Sequence, residues 1–364
     1  MCENEGTNLD GGFEMELGIT TFVETTPDVK TGHVISHAER LRQVVEEIKL
    51  ADEVGLDVYG VGEHHRADYA ASSPTVVLAA ASTQTNRIKL TSAVTVLSSA
   101  DPVRVYEEFA TLDGLSNGRA EIMAGRGSFV ESFPLFGYDL ADYNELFDEK
   151  LQLLLNIQQN EFVTHEGKFR PSIQNRAIYP RPVQKEIPIW IASGGTPSSS
   201  VRAGQLGLPL TIAILGGNPL AFSRVIDLYR QTGLQAGHNE SKLKVAINSH
   251  GYIARTKEEA VEKFFPSTQA VMNKLGRERG WPPYTMESFE YANSFDGAVY
   301  AGDPETIAQK ILLLHEHLGI DRFFLQTPVG TMPHEDVLQS IRLFGEEVAP
   351  IVRAEVEKRK NSLK

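Results

Sequence analysis

The sequence predicts a parallel (β/α)8 barrel, an α/β fold with insertions after its fourth and seventh strands, and three observations carry that expectation. Eight short β-type runs alternate with helical stretches from about residue 15 to the end of the chain. The length of 364 residues suits a barrel, since such folds run from roughly 200 to beyond 400 residues as single units. A doubly wound nucleotide fold would place its Gly-rich turn after the first strand. Here residues 20–26, which follow the first run, contain no glycine, and the Gly-rich turns come after the fourth and fifth runs.

Residues 1–14 read as a flexible Gly/Asn/Glu-rich tail, leaving 15–360 as one barrel domain. Residues 15–21 form the first strand. Residues 36–54 then set Leu41, Val44, Val45, Ile48 and Ala51 on one helical face, and Gly55 stops the helix. Residues 58–62 are the second strand, followed by a helix over 74–83. The Thr- and Val-rich stretch 89–96 is the third. Asp101-Pro102 opens the next helix, with proline pre-set for the first helical position, and the helix runs through Leu112. Residues 120–125 form the fourth strand. The excursion 128–187 follows, with a helix over 145–156 and a hairpin-like stretch at 162–169. Residues 188–192 and 209–213 give strands five and six, separated by a helix from Pro197 to Gln205. Strand seven covers 243–253. The excursion 255–302 holds a helix and a Trp/Pro/Tyr-rich loop. A helix over 304–318, strand eight at 322–326 and a final helix from His334 to about Lys358 close the chain.

Composition narrows the function classes. The chain is 41% hydrophobic and 23% charged, ordinary for a globular protein. Its single cysteine, Cys2, builds neither a disulfide framework nor a cysteine zinc site. No window approaches 18 consecutive apolar residues, and the N-terminus lacks a basic region before an apolar core, so the cytoplasm is the expected compartment. A net charge of −13 opposes a phosphate backbone, and nucleic acid is not an expected partner.

In a barrel, chemistry collects in the loops after the C-terminal ends of the strands. Glu63-His64-His65 follows strand two directly. A histidine there can move a proton near neutral pH, or it can simply pack. A metal is disfavoured, because neighbouring residues on extended chain point in opposite directions. Gly125-Arg126-Gly127 follows strand four, where glycines admit a close ligand and arginine offers a fork for phosphate. Ser193–Gly194–Gly195–Thr196–Pro197–Ser198 joins strand five to its helix; Thr196 is placed as N-cap, and the helix start aims N–H groups outward as an anion site. Either loop alone reads equally as a turn. On one rim, one strand apart, they can close on a single phosphate. Ala93-Val94 could flank a flat ring or merely pack, and Gln326 could bond a ring edge or tie a loop.

Four stretches in order, "GVGEHHRAD" (60–68), "IKLTSAVTVLSSADPVRVYEEFATLDGLSNGRAEIMAGRG" (88–127), "PIWIASGGTPSSS" (188–200) and "YAGDPETIAQKILLLHEHLGIDRFFLQ" (300–326), make the chain resemble the luciferase-like flavin-dependent monooxygenases. The resemblance spans about residues 15–352 and lies with the broad bacterial branch rather than with luciferase itself. It implies an enzyme that uses reduced FMN, supplied by a separate NAD(P)H-dependent flavin reductase, and oxygen to oxidise a small organic substrate, commonly as a homodimer. A deazaflavin-dependent dehydrogenase or reductase, and a catalytically silent flavin-binding partner subunit, are the alternatives. Carried over residue by residue, it implies a catalytic His64 and a non-proline cis peptide at Ala93-Val94. It also implies a phosphate arginine at Arg126, a phosphate turn at Gly194, Gly195 and Ser198, and a ring-pocket residue at Ile214. Luciferase has Glu and Ser where this chain has Gly194 and Gly195, so the phosphate grip here is expected to be mostly main-chain.

Overall fold

The computed structural model describes residues 15–362; the expected tail with Cys2 lies outside that range. Eight strands close a parallel barrel: β1 (Glu16–Thr21), β2 (Val58–Val61), β3 (Lys89–Ser92), β5 (Ala120–Gly125), β8 (Ile189–Ser193), β9 (Leu210–Ala213), β10 (Val245–Ile253) and β12 (Arg322–Gln326). Closure is made by β1 against β12, with Glu16 opposite Arg322 and Thr20 opposite Gln326. The third predicted strand is broken. Residues 89–92 pair with β2 and, through Leu90 and Thr91, with β5; a cis peptide at Ala93-Val94 follows, and a short β4 (Thr95–Val96) pairs with the far end of β5.

The helices start where capping chemistry starts them. Before α1 (His37–Glu53), the Ser36 hydroxyl accepts the Glu39 N–H at 3.2 Å. Before α3 (Pro102–Ser116), the Asp101 carboxylate accepts from Val103 and Arg104, and Pro102 takes the first turn. Asp303 does the same for α10 (Pro304–Leu318), which Gly319 ends in the left-handed region at φ +58°. The helix α2 (Pro74–Ser82) lies where the sequence placed it, while α3 runs four residues past Leu112, to Ser116.

Elsewhere the sequence reading missed elements or their extent. A helix α7 (Ser223–Gln235) follows β9 and packs beside α6 (Pro197–Leu206). The excursion after strand four carries a short α4 (Ser132–Phe136), α5 (Tyr143–Gln159) and a hairpin whose strands are β6 (Phe162–His165) and β7 (Ile173–Ala177). The excursion after strand seven is mostly helical, with α8 (Lys257–Arg279) and α9 (Met286–Ala292). It ends in a strand, β11 (Tyr300–Gly302), that extends the C-terminal half of β10. The terminal helix is α11 (His334–Leu343) and α12 (Ala349–Ser362), joined through a wider π turn at Phe344–Val348.

Side chains fill the barrel from its N-terminal end. Arg322, 1% exposed, sits inside the bottom with Glu121 at 2.7 Å and Glu16 at 2.5 Å, its guanidinium 4.3 Å from the Trp190 ring. Burial would raise the Glu16 carboxyl, but Arg322 and Lys89 hold it down at about 2. Above this ion cluster Val58, Met123, Trp190, Ala246 and Phe324 form an inner apolar layer, and Val94 and Ala192 pack onto it. The barrel is therefore closed below and open only at the C-terminal ends of its strands. No helix among the described residues is long and apolar enough to cross a membrane.

Candidate active site

A cavity of about 680 Å³ occupies the C-terminal mouth of the barrel. Its wall contains His64, Ala93, Val94, Arg126 and Gly194, which the sequence placed on four separate segments.

Each arrives there for a local reason. Glu63 fixes the loop after β2: one oxygen accepts the Val96 N–H at 2.9 Å and the other meets His65 Nε2 at 3.0 Å. One carboxylate thus ties the loop after β2 to the far side of the cis peptide. His65 packs on the Phe136 ring at the cavity edge, while His64 packs between Phe22 and Tyr69, each 4.4 Å away centroid to centroid. The two histidines diverge, and no group of three His, Cys, Asp or Glu side chains able to hold a metal occurs among the described residues. Burial, with help from His65 and Arg66 and against Asp68, pushes the His64 imidazole down to about 3. At neutral pH it is uncharged. Its Nε2 is buried without a hydrogen-bond partner.

Val94 approaches the backbone of β5 so closely that a Cβ on Gly125 would stand 2.7 Å from its methyl group. Glycine at 125 is what lets the cis segment lie across the strand. The next residue, Arg126, spends one nitrogen on Asn144 Oδ1 at 2.5 Å and another on Ser199 Oγ at 3.1 Å, with its guanidinium 5.1 Å from the Tyr143 ring. It has no carboxylate partner among the described residues. Ser199 is buried at the α6 start; Ser198 is exposed and does not line the cavity.

The turn itself is organised differently from the expectation. Thr196 occupies the N-cap position but makes no capping bond; its hydroxyl donates to Ser199 Oγ at 2.9 Å. Ser193, at the end of β8, accepts the N–H groups of Gly195 and Thr196 at 3.0 and 3.3 Å. Gly195 takes φ +89°, and a Cβ there would run into the Phe222 ring at 2.4 Å. Gly194 has open space where its Cβ would be. Ile214 is fully buried and faces away from the cavity, whose wall in that stretch is Ala213, Leu215 and Gly216. That displacement follows from strand alternation: Ala213 ends β9 inward, so the next side chain points out.

The excursions supply the cover. Arg66 binds Glu131 at 2.7 Å, Glu278 at 2.7 Å and Asp68 at 3.2 Å, joining the loop after β2 to both excursions. Lys274 adds a bond to Asp68 at 2.7 Å. Phe129 lies between the guanidinium groups of Arg66 and Arg279, each 5.0 Å from its ring, and Trp281 completes the lip. Sequence reasoning placed Ser193 in the turn without giving it a role, and missed Ser199, Phe129 and Trp281. Serines beside Gly194-Gly195 carried a visible signal, whereas no local pattern marks an aromatic residue in a loop as a cover.

An uncompensated guanidinium, an open Gly194 and a helix start make one anion-binding corner. The cis segment and the apolar walls leave room beside it for a flat ring. The site fits a cofactor with a phosphate at one end and a planar system at the other.

Comparison with known proteins identifies the family and the fold. The sequence model of the luciferase-like monooxygenases matches residues 15–322. An N-acetyl-S-alkylcysteine monooxygenase of Bacillus subtilis is 27% identical over 311 residues, covering 80% of this chain and 88% of the relative. A monooxygenase from Streptomyces bottropensis shares the fold at TM-score 0.79 and 23% identity, over 92% of this chain and 99% of that one. So does the oxygenating constituent of 3,6-diketocamphane monooxygenase from Pseudomonas putida, a type II Baeyer-Villiger enzyme solved with FMN. It superposes at TM-score 0.73 and 21% identity, over 93% of this chain and 98% of that one.

Proposed function

Since the chain belongs to the luciferase-like monooxygenase family, we propose that it is an FMN-dependent monooxygenase that uses reduced flavin and oxygen to oxidise a small organic molecule. The observation that carries this reading is the meeting, in one cavity, of unneutralised Arg126, the open turn at Gly194, the cis peptide Ala93-Val94 and the unpartnered Nε2 of His64. The reduced flavin would supply the electrons that activate oxygen.

The chain's own groups have definable tasks. Arg126, the exposed main chain at Gly194 and the start of α6 would hold a phosphate, with Gly195 shaping the turn while its own N–H is held by Ser193. The Ala93-Val94 segment, backed by Gly125, gives a flat ring a firm floor. His64 is neutral at working pH, so Nε2 offers or accepts one hydrogen bond without bringing a charge into an apolar site. Phe129, Arg279 and Trp281, latched through Arg66, keep water from the ring once substrate is in place.

The named relatives act on a thioether-bearing amino acid derivative or a cyclic ketone, which supports a small organic substrate with an oxidisable sulfur or carbonyl for the same kind of cavity. A separate NAD(P)H-dependent flavin reductase is the natural source of reduced flavin, because the phosphate corner and flat-ring site account for one cofactor. A homodimer is supported by Val76, 68% exposed on the otherwise apolar α2. The test is oxygen transfer with a supplied reductase, NADH, FMN and heavy-isotope oxygen gas. A panel of thioethers and cyclic ketones should give a product heavier by one labelled atom. Label-free turnover that proceeds without oxygen would replace this reading with a deazaflavin- or flavin-dependent reductase.

A further inference from the structure

The half of the rim opposite the phosphate corner is polar, and its polarity is directional. In the closed order of strands, β12 stands four places from β5 whichever way the barrel is followed. Gln326 ends β12 and lines the cavity floor, although only 2% of its surface is exposed. Its amide is oriented by a chain of bonds. The Thr20 hydroxyl donates to Asn248 Oδ1 at 2.6 Å, so that Asn248 must present its Nδ2. That group donates to Gln326 Oε1 at 3.0 Å. The relay engages Gln326 Oε1, and its Nε2 makes no hydrogen bond to the described residues while the side chain lines the cavity. Next along the wall, the buried Thr211 hydroxyl lines the same cavity and also lacks a partner.

Buried donors are rarely left unmade, because the desolvation cost is not recovered. An amide donor fixed in direction by two further residues, beside one buried hydroxyl without a partner, forms a prepared contact for an acceptor. A ring system whose phosphate is held after β5 and β8 extends across the mouth toward β12, and its far edge is what this floor would meet. Resting on the flavin reading above, we propose that Gln326 donates its carboxamide N–H to a carbonyl of the ring's pyrimidine-dione edge, with Asn248 and Thr20 as positioning residues that fix the direction of that donor. The contact is to the ring and not to the phosphate.

The experiment compares wild type with Gln326→Leu, Gln326→Glu and Asn248→Leu, using FMN and riboflavin as probes. Dissociation constants come from quenching of flavin fluorescence, and the flavin carbonyl stretches from infrared difference spectra of the bound ring. Gln326→Leu should weaken both flavins by the same factor, roughly tenfold for one buried acceptor left unpaired, and should move one carbonyl band to higher frequency. Gln326→Glu, nearly isosteric, should weaken binding at least as much, because it replaces the donor with acceptors. Asn248→Leu should give a smaller shift of the same band. Folded Gln326→Leu protein with unmoved carbonyl bands and unchanged affinities would overturn the contact. So would a loss confined to FMN, which would place Gln326 at the phosphate. Wild-type protein that quenches neither flavin would overturn the cofactor reading and this contact together.

Discussion

Replacing Arg126 with alanine separates the phosphate from the ring. The guanidinium has five N–H donors. Two nitrogens are committed, to Asn144 at 2.5 Å and Ser199 at 3.1 Å, and the remaining donors face the cavity beside Gly194. A charge-assisted hydrogen bond contributes about 1.5–3 kcal/mol net. Arg126 is only partly buried, so solvent screening argues for the lower half of that range. At 1.4 kcal/mol per factor of ten, FMN should bind Arg126→Ala roughly ten- to fortyfold more weakly. Riboflavin, which has no phosphate, should bind both proteins alike. Fluorescence titrations of the two flavins at low and moderate salt supply the four constants needed. The FMN loss should shrink as salt rises. An equal loss for both flavins, or no loss for either, would refute the phosphate assignment.

Other outcomes follow from single contacts. Gly195→Ala should cost about 1–3 kcal/mol, because φ +89° is strained for a residue with a Cβ and the methyl meets Phe222; urea denaturation of the variant checks this. Glu121→Ala leaves Arg322 inside the barrel with one carboxylate fewer, and loss of a partner from a buried pair costs about 3–5 kcal/mol. A denaturation midpoint within error of wild type would mean that the cluster stabilises nothing. His64 has its pKa lowered to about 3 in the folded protein from an ordinary 6.5, so the unfolded chain takes up its proton first. Stability from this group is complete above pH 6.5 and is lost as pH falls from there toward 3. His64→Gln should therefore lose stability less steeply than wild type across that window, and an imidazole signal titrating near 6.5 would contradict a buried neutral His64.

The eight strands and most helices were legible because their signals are local. Thr- and Val-rich stretches such as 89–96, proline at first helical positions and Asp or Ser caps act within a few residues of themselves. Arg126 between glycines and the Gly194-Gly195 turn were likewise readable as ligand-binding loops, and the family resemblance directed attention to His64 and the cis peptide. What failed was any feature whose cause lies elsewhere in the chain. Lys89–Val96 reads as one strand, but Val94 crosses β5 only because Gly125 makes room. Ser199, not Ser198, meets Arg126, a choice set by the rotation of α6. Ile214 faces outward because Ala213 faces in.

By itself, then, the sequence determined the barrel, its two excursions and the segments that surround the site, since periodicity and capping are properties of neighbours. Only the tertiary structure decided which face each segment turns to the cavity. It made His64 neutral by burying it among aromatic rings, and it aligned Thr20, Asn248 and Gln326 into one directional relay. Those properties depend on groups brought together from strands hundreds of residues apart, where burial and hydrogen-bond direction are set by the packed barrel and by no local run of residues.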